Sequence, residues 1–119
     1  MDLAFEHTWR ALLKQVSAKY GDDLDLNALL FLIGVQELGQ GRREFKKREK
    51  LELLHIAVCT LLKPYGYYSS IGRDKEGWPH FEKNKGLPAL SAVEQERLMK
   101  EAILEYFNDQ GIGISTTVS

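Results

Sequence analysis

The most reactive side chains of this sequence lie close together on one predicted helix. Glu52 and His55 form an E-x-x-H pair, and Cys59 follows His55 after four residues. Residues three or four apart share one face of a helix. The pair could therefore hold a metal ion, or His55 could act as a base that activates the Cys59 thiol.

A metal site needs more ligands than this helix supplies. Di-iron and di-manganese bundles repeat the E-x-x-H pair on a second helix and add single glutamates from two more. Glu37, Glu101 or Glu105 could add carboxylates, but no second histidine lies in a helix at matching spacing. We therefore predict no metal ion and no other cofactor, and a His55 that is hydrogen-bonded within the core.

Cys59 is the only cysteine of the sequence, and its neighbours Val58, Leu61 and Leu62 are apolar. Reactive cysteines lie in electropositive, partly open sites, so a buried, inert thiol is the favoured interpretation. A single cysteine also excludes an internal disulfide and a CxxC motif. The sequence has no nucleophile elbow, Walker loop or dinucleotide fingerprint. It predicts no catalytic residue, and a non-enzymatic function is favoured.

A basic run provides the second candidate site. It follows Gly39–Gly41, where the sequence predicts the start of a helix. Cationic side chains and free backbone N–H groups at a helix N-terminus can bind an anion together, so a phosphate or nucleic-acid contact is one interpretation. A solvated face with an i,i+4 pair of Glu44 and Arg48 is the other. The candidate anion- or partner-binding residues are Arg42, Arg43, Lys46 and Lys47.

The predicted order of helices and hairpin also resembles a winged helix-turn-helix domain, with Arg73 and Lys75 near the hairpin tip. A recognition helix needs an exposed polar face that reads base edges. The stretch Leu51–Leu62 offers only Glu52, His55 and Thr60 for that purpose. Nucleic-acid binding is therefore an alternative and not the leading hypothesis.

Aromatic residues concentrate after the third predicted helix, on both sides of the tight turn that Asp74–Gly77 predicts. Such rings line a pocket or a protein interface, where tyrosine and tryptophan are enriched, or they attach the hairpin to the helices. The sequence leaves both interpretations open. The candidate pocket or interface residues are Tyr67, Tyr68, Trp78, His80 and Phe81.

Helical periodicity organises the rest of the chain. It predicts helices over Asp2–Tyr20, Leu26–Leu38 and Arg43–Lys63, with Asp25 as the N-cap of the second. A last helix starts at the Ser91 and Glu94 capping box and ends near Asn108. The second helix, and the third from Leu51 to Leu62, carry apolar residues on nearly all sides, so we expect the first and last helices to cover them. The predicted fold is mainly α, a compact four-helix domain with two central apolar helices and a short β-hairpin or ordered loop between helices three and four.

The 119 residues suit one helical domain over 1–110, followed by a flexible tail over 111–119. A net charge of −1 gives no global attraction to nucleic acid or membrane. We see no signal peptide and no apolar run that could span a bilayer, so we expect a cytoplasmic protein. Two covering helices and a hairpin leave the central pair incompletely shielded, and we therefore expect a homodimer.

Three stretches, LLFLIGVQELGQG, PYGYY and GRDKEGWPHFE, resemble an uncharacterised group of small soluble bacterial helical proteins. The resemblance spans Leu29 to about Phe107. It implies a compact helical domain and carries over no activity, cofactor or site residue. The leading hypothesis is a non-enzymatic interaction module. Binding of nucleic acid or an anionic ligand through the basic run is the alternative, and a metal protein or small enzyme comes third.

Overall fold

The computed structural model describes residues 2–20, 24–41, 43–86 and 88–110. Over these residues the chain forms four α-helices and one β-hairpin, which lies between the third helix and the fourth. The elements are α1 (Leu3–Tyr20), α2 (Leu26–Leu38), α3 (Lys47–Leu62), a 3₁₀ turn (Lys63–Tyr65), β1 (Tyr68–Arg73), β2 (Pro79–Lys83) and α4 (Ala92–Asp109). The mainly helical fold with a hairpin after the third helix is confirmed. The predicted tail over 111–119 lies outside the described residues.

Side-chain caps begin two of the helices as the sequence predicts. The Asp25 carboxylate accepts the Ala28 N–H at 2.8 Å and starts α2. At the start of α4, the Ser91 hydroxyl accepts the Glu94 N–H at 3.1 Å, and the Glu94 carboxylate accepts the Ser91 N–H at 2.9 Å. Each cap satisfies backbone donors that have no partner within the helix.

The predicted start of the third helix at Arg43 is wrong, because α3 begins at Lys47. Lys46 has an extended backbone, and its N–H donates to the Glu49 carboxylate at 2.8 Å. The extended chain before Lys46 brings the Phe45 ring against the core. The helix therefore starts one turn later than the periodicity predicts. Packing of the Phe45 ring and the Glu49 cap stabilise the extended segment instead of a helical turn.

The core consists of two clusters. The larger one takes buried side chains from all four helices: Trp9, Leu12, Val16, Leu29, Leu30, Ile33, Ala57, Leu61, Ala102, Ile103, Tyr106 and Phe107. The smaller cluster has Leu38, Leu53 and Ile56 at its centre, with Phe31, Val35, Phe45, Trp78 and Phe81 against them. Both α2 and α3 contribute to both clusters, so the hairpin and the first and last helices are held on the same pair of helices.

The helices α2 and α3 approach each other closely at Gly34. A Cβ atom at this position would lie 2.8 Å from the Leu53 carbonyl carbon, closer than real Cβ contacts allow. None of the apolar side chains of α2 is exposed. In contrast, α3 exposes a face with Leu51, Glu52 and His55.

The hairpin pairs β1 and β2 antiparallel, with Tyr68 opposite Lys83 and Arg73 opposite Pro79. A β-bulge interrupts the ladder between Ser70 and Gly72. Proline lacks the N–H that a ladder needs, and Pro79 stands at the first position of its strand, where this is tolerated. The hairpin contacts the helices through rings in the smaller cluster, which places its turn beside the start of α3.

Candidate binding groove

An open groove of about 440 Å³ lies between the first two turns of α3 and the turn of the hairpin. One wall is formed by Arg48, Glu49 and Glu52 of α3, and the other by Asp74, Glu76, Trp78, Pro79 and His80. Four carboxylates therefore face one guanidinium group and one imidazole, beside an indole ring. This arrangement favours a positively charged ligand group over an anion.

Asp74 organises the hairpin wall of the groove. Its Oδ1 accepts the backbone N–H groups of Glu76 at 2.9 Å and Trp78 at 3.0 Å. Its Oδ2 lies 2.9 Å from His80 Nε2, an ion pair when the imidazole is protonated. The hydrogen bond with His80, and after it the bond from the Trp78 N–H, lower the pKa of Asp74. The charged form of Asp74 is thus the one that holds the turn.

Acid is expected to loosen this turn. The pKa of Asp74 in the folded protein lies below its ordinary value of 3.8, so its stabilising effect is complete above 3.8 and disappears as the pH falls through the lower, folded pKa. We expect the backbone N–H signals of Glu76 and Trp78 to move together with the Asp74 carboxyl signal in an NMR titration to about pH 2. Titration of Asp74 at or above 3.8 would contradict this assignment. Asp74→Asn is the control that removes the transition.

The side chain of Arg43 connects the basic run with the hairpin. Its guanidinium lies 4.4 Å from the centre of the Phe45 ring and 6.0 Å from that of Trp78. It also forms a 3.4 Å ion pair with Glu49. The Lys46 N–H bond and, less strongly, Arg43 lower the pKa of Glu49. The Arg43 guanidinium thus lies between two aromatic rings and the Glu49 carboxylate, at the edge of the groove.

The other predicted binding residues are spread over a wider area. Lys46 and Lys47 are exposed at the start of α3, and Arg42 lies outside the described residues. Tyr67 lies under the Lys85 ammonium, 4.8 Å from its ring centre, and Tyr68 contacts His55 edge to face. Phe81 belongs to the smaller cluster, whereas Trp78 and His80 line the groove. The structure thus places Trp78 and His80 in the groove, with the Arg43 guanidinium 6.0 Å from the Trp78 ring. The two tyrosines do not line the groove.

Two side chains fix the hairpin turn to the end of α2. The Arg73 guanidinium donates to the backbone carbonyls of Glu37 at 2.7 Å, Leu38 at 3.2 Å and Gly77 at 2.8 Å. The Gln40 amide donates to the Glu76 carbonyl at 2.8 Å. Arg73 is therefore occupied by backbone acceptors, whereas Lys75, the other basic residue near the hairpin tip, is exposed.

The structure brings His55 and Cys59 together as their spacing predicts, with His55 Nε2 3.5 Å from the Cys59 sulfur. Glu52 points to the groove, while His55 is exposed and not buried in the core as predicted. Burial and, after it, the Glu52 charge raise the pKa of the Cys59 thiol to about 11, so the thiol stays protonated at neutral pH. Within the described part of the chain, no three His, Cys, Asp or Glu residues are arranged to hold a metal ion.

Glu52, Asp74 and Glu76 were not predicted as groove residues from the sequence. For Asp74 a signal existed, because aspartate at the first position of a D-x-x-G turn commonly accepts backbone N–H groups two residues further on. No local pattern marks Glu52 and Glu76, which the tertiary fold brings to one groove. Arg73 and Gln40 were likewise unpredictable, since their acceptors lie 35 and 36 residues away in the chain.

Comparison with known proteins gives no family and no relative. The chain matches no protein-family model, no curated protein and no solved structure. None of the helices in the described ranges is long and apolar enough to cross a membrane.

Proposed function

We propose that this chain is a non-enzymatic interaction module that binds a partner protein through the groove between α3 and the hairpin. The partner segment inserts an arginine or lysine side chain into the groove. The observation that carries the proposal is the composition of the two walls, which place four carboxylates and an indole around one open volume.

Charge supports a cationic occupant. Glu52 and Glu76 line the groove. Within the described part of the chain, neither carboxylate forms a salt bridge. Asp74 and Glu49 already have partners, so they add to the negative potential without being free to rearrange. A cation entering the groove would gain attraction from all four carboxylates, with Arg48 in the groove and Arg43 at its edge as opposing charges.

The rings support a guanidinium or ammonium group in particular. Aromatic faces attract such cations, and tryptophan does so most strongly. Arg43 already places its guanidinium over Phe45 and near Trp78 while it pairs with Glu49. The same combination of indole and carboxylate is available from the groove side, where Trp78 lies beside Glu52 and Glu76.

A peptide titration tests the proposal. We expect tri-arginine to shift the NMR signals of the Trp78 indole and of the backbone around Glu52 and Glu76, while tri-glutamate leaves them unchanged. The double variant Glu52→Gln/Glu76→Gln should bind tri-arginine about tenfold more weakly, since each exposed ion pair contributes up to about 1 kcal/mol. The matched control is Glu82→Gln/Asp109→Asn, which removes the same charge at exposed positions outside the groove.

Equal weakening in both double variants would show a nonspecific charge effect and would contradict a groove site. The competing hypothesis is nucleic-acid binding through the basic run, where Lys46 and Lys47 are exposed. Signals that move there with a single-stranded oligonucleotide, with no response to tri-arginine, would replace this proposal with nucleic-acid binding.

The homodimer stays a prediction. Leu3, Leu51, Ile71 and Val93 are large apolar side chains that the single chain leaves exposed. They belong to α1, α3, β1 and α4 respectively. Burial of any of them against a second copy would add to the stability of a dimer.

A further inference from the structure

We infer that Arg73 is the positioning residue of the groove, which it keeps open by fixing the hairpin turn to the C-terminal end of α2. Its effect on ligand binding rests on the proposed function, whereas its effect on the turn does not. Arg73 itself does not line the groove, and its action passes through Asp74, Glu76 and Trp78.

The acceptors of Arg73 explain why the turn is held at this place. The last carbonyls of an α-helix have no partner within the helix and carry the negative end of its dipole. Arg73 donates to the carbonyls of Glu37 and Leu38, the last two residues of α2. A guanidinium therefore meets two free acceptors and a favourable field at one point of the fold.

The same guanidinium also closes the turn from within. It donates to the Gly77 carbonyl, immediately before Trp78, while Gln40 holds the Glu76 carbonyl from the segment after α2. The residues that carry the groove wall are thus fixed at two consecutive carbonyls. Arginine suits this position because its planar fork directs several N–H groups in fixed directions, which a lysine ammonium does not.

The test compares Arg73→Ala, Arg73→Lys and Gln40→Ala with Lys75→Ala. Lys75 is exposed in the same turn, so the control removes the same charge from the same hairpin. Backbone amide exchange of Asp74 and Gly77, whose N–H groups donate within the turn, reports on the turn itself. Tri-arginine affinity reports on the groove, and exchange in α3 reports on the global fold.

We expect Arg73→Ala to accelerate exchange at Asp74 and Gly77 about tenfold, the change that loss of a charge-assisted hydrogen bond gives. Gln40→Ala and Arg73→Lys should each accelerate exchange at the same two amides by a smaller factor. If Arg73→Ala does not fold, these two variants test the inference. Lys75→Ala should leave exchange unchanged. The faster the turn amides of a variant exchange, the more weakly that variant should bind tri-arginine.

Two results would overturn the inference. Unchanged exchange at Asp74 and Gly77 in the Arg73 variants would show that the turn holds without the guanidinium. An equal increase across α3 would show a role in global stability instead of positioning. Absence of tri-arginine binding to the unmodified protein contradicts the proposed function alone, because the exchange measurement then still decides what Arg73 does for the turn.

Discussion

Replacing Gly34 with alanine is expected to destabilise the protein by about 3 kcal/mol, although alanine is the better helix former by about 1 kcal/mol. The added methyl group would collide with the backbone carbonyl of Leu53. The backbone atoms of a helix cannot rotate away from the added methyl group as a flexible side chain can. The helices α2 and α3 must move apart, and every contact between them weakens. Urea unfolding followed by circular dichroism measures the change.

The control for this substitution is Gly86→Ala. Among the described residues, no atom lies within 4 Å of the position that its Cβ would occupy, leaving aside its chain neighbours. We expect a change within about 0.5 kcal/mol for that variant. A Gly34→Ala protein as stable as the unmodified chain would mean that the two helices do not approach closely at this point.

Truncation of Leu53 to alanine should cost about 3–4 kcal/mol. The side chain is 0% exposed and lies at the centre of the smaller cluster with Leu38 and Ile56. Removing it leaves a cavity whose walls include rings of the hairpin, so the substitution should also broaden the Trp78 NMR signals. For a domain of this size, such a loss is a large part of the total stability.

Leu51→Ala provides the matched control two residues earlier on the same helix, because Leu51 is 61% exposed. Its effect should stay within about 0.5 kcal/mol. Equal losses in the two variants would contradict the assigned orientation of α3. In addition, Leu53→Ala should not rescue Gly34→Ala, since the collision at Gly34 involves the backbone carbonyl of residue 53 as well as its Cβ.

The sequence predicts the helices well where a local signal marks both the cap and the apolar periodicity. Asp25 before α2 and Ser91 before α4 are such signals, and both caps form. The start of α3 was misplaced because the charged residues around Phe45 are as compatible with a helix as with an extended segment. Tertiary burial of Phe45 decides between the two, and no local pattern contains that information.

The groove was likewise predictable from the sequence only in part. The turn at Asp74–Gly77 and the aromatic character of the hairpin follow from composition and turn chemistry. The negative character of the groove does not, since it arises where Glu49 and Glu52 of α3 meet Asp74 and Glu76 of the hairpin. Their proximity depends on how Arg73 attaches the turn to α2, an interaction between residues far apart in the chain.

The β-bulge of the hairpin has an expected consequence for the protein in concentrated solution. A two-stranded sheet presents free edges, and a free edge can recruit strands from other molecules and start aggregation. The interruption between Ser70 and Gly72 breaks the regular spacing of donors and acceptors in β1, and bulges also increase strand twist. Although Ile71 is 59% exposed there, we therefore expect β1 to be a poor template for a growing fibre.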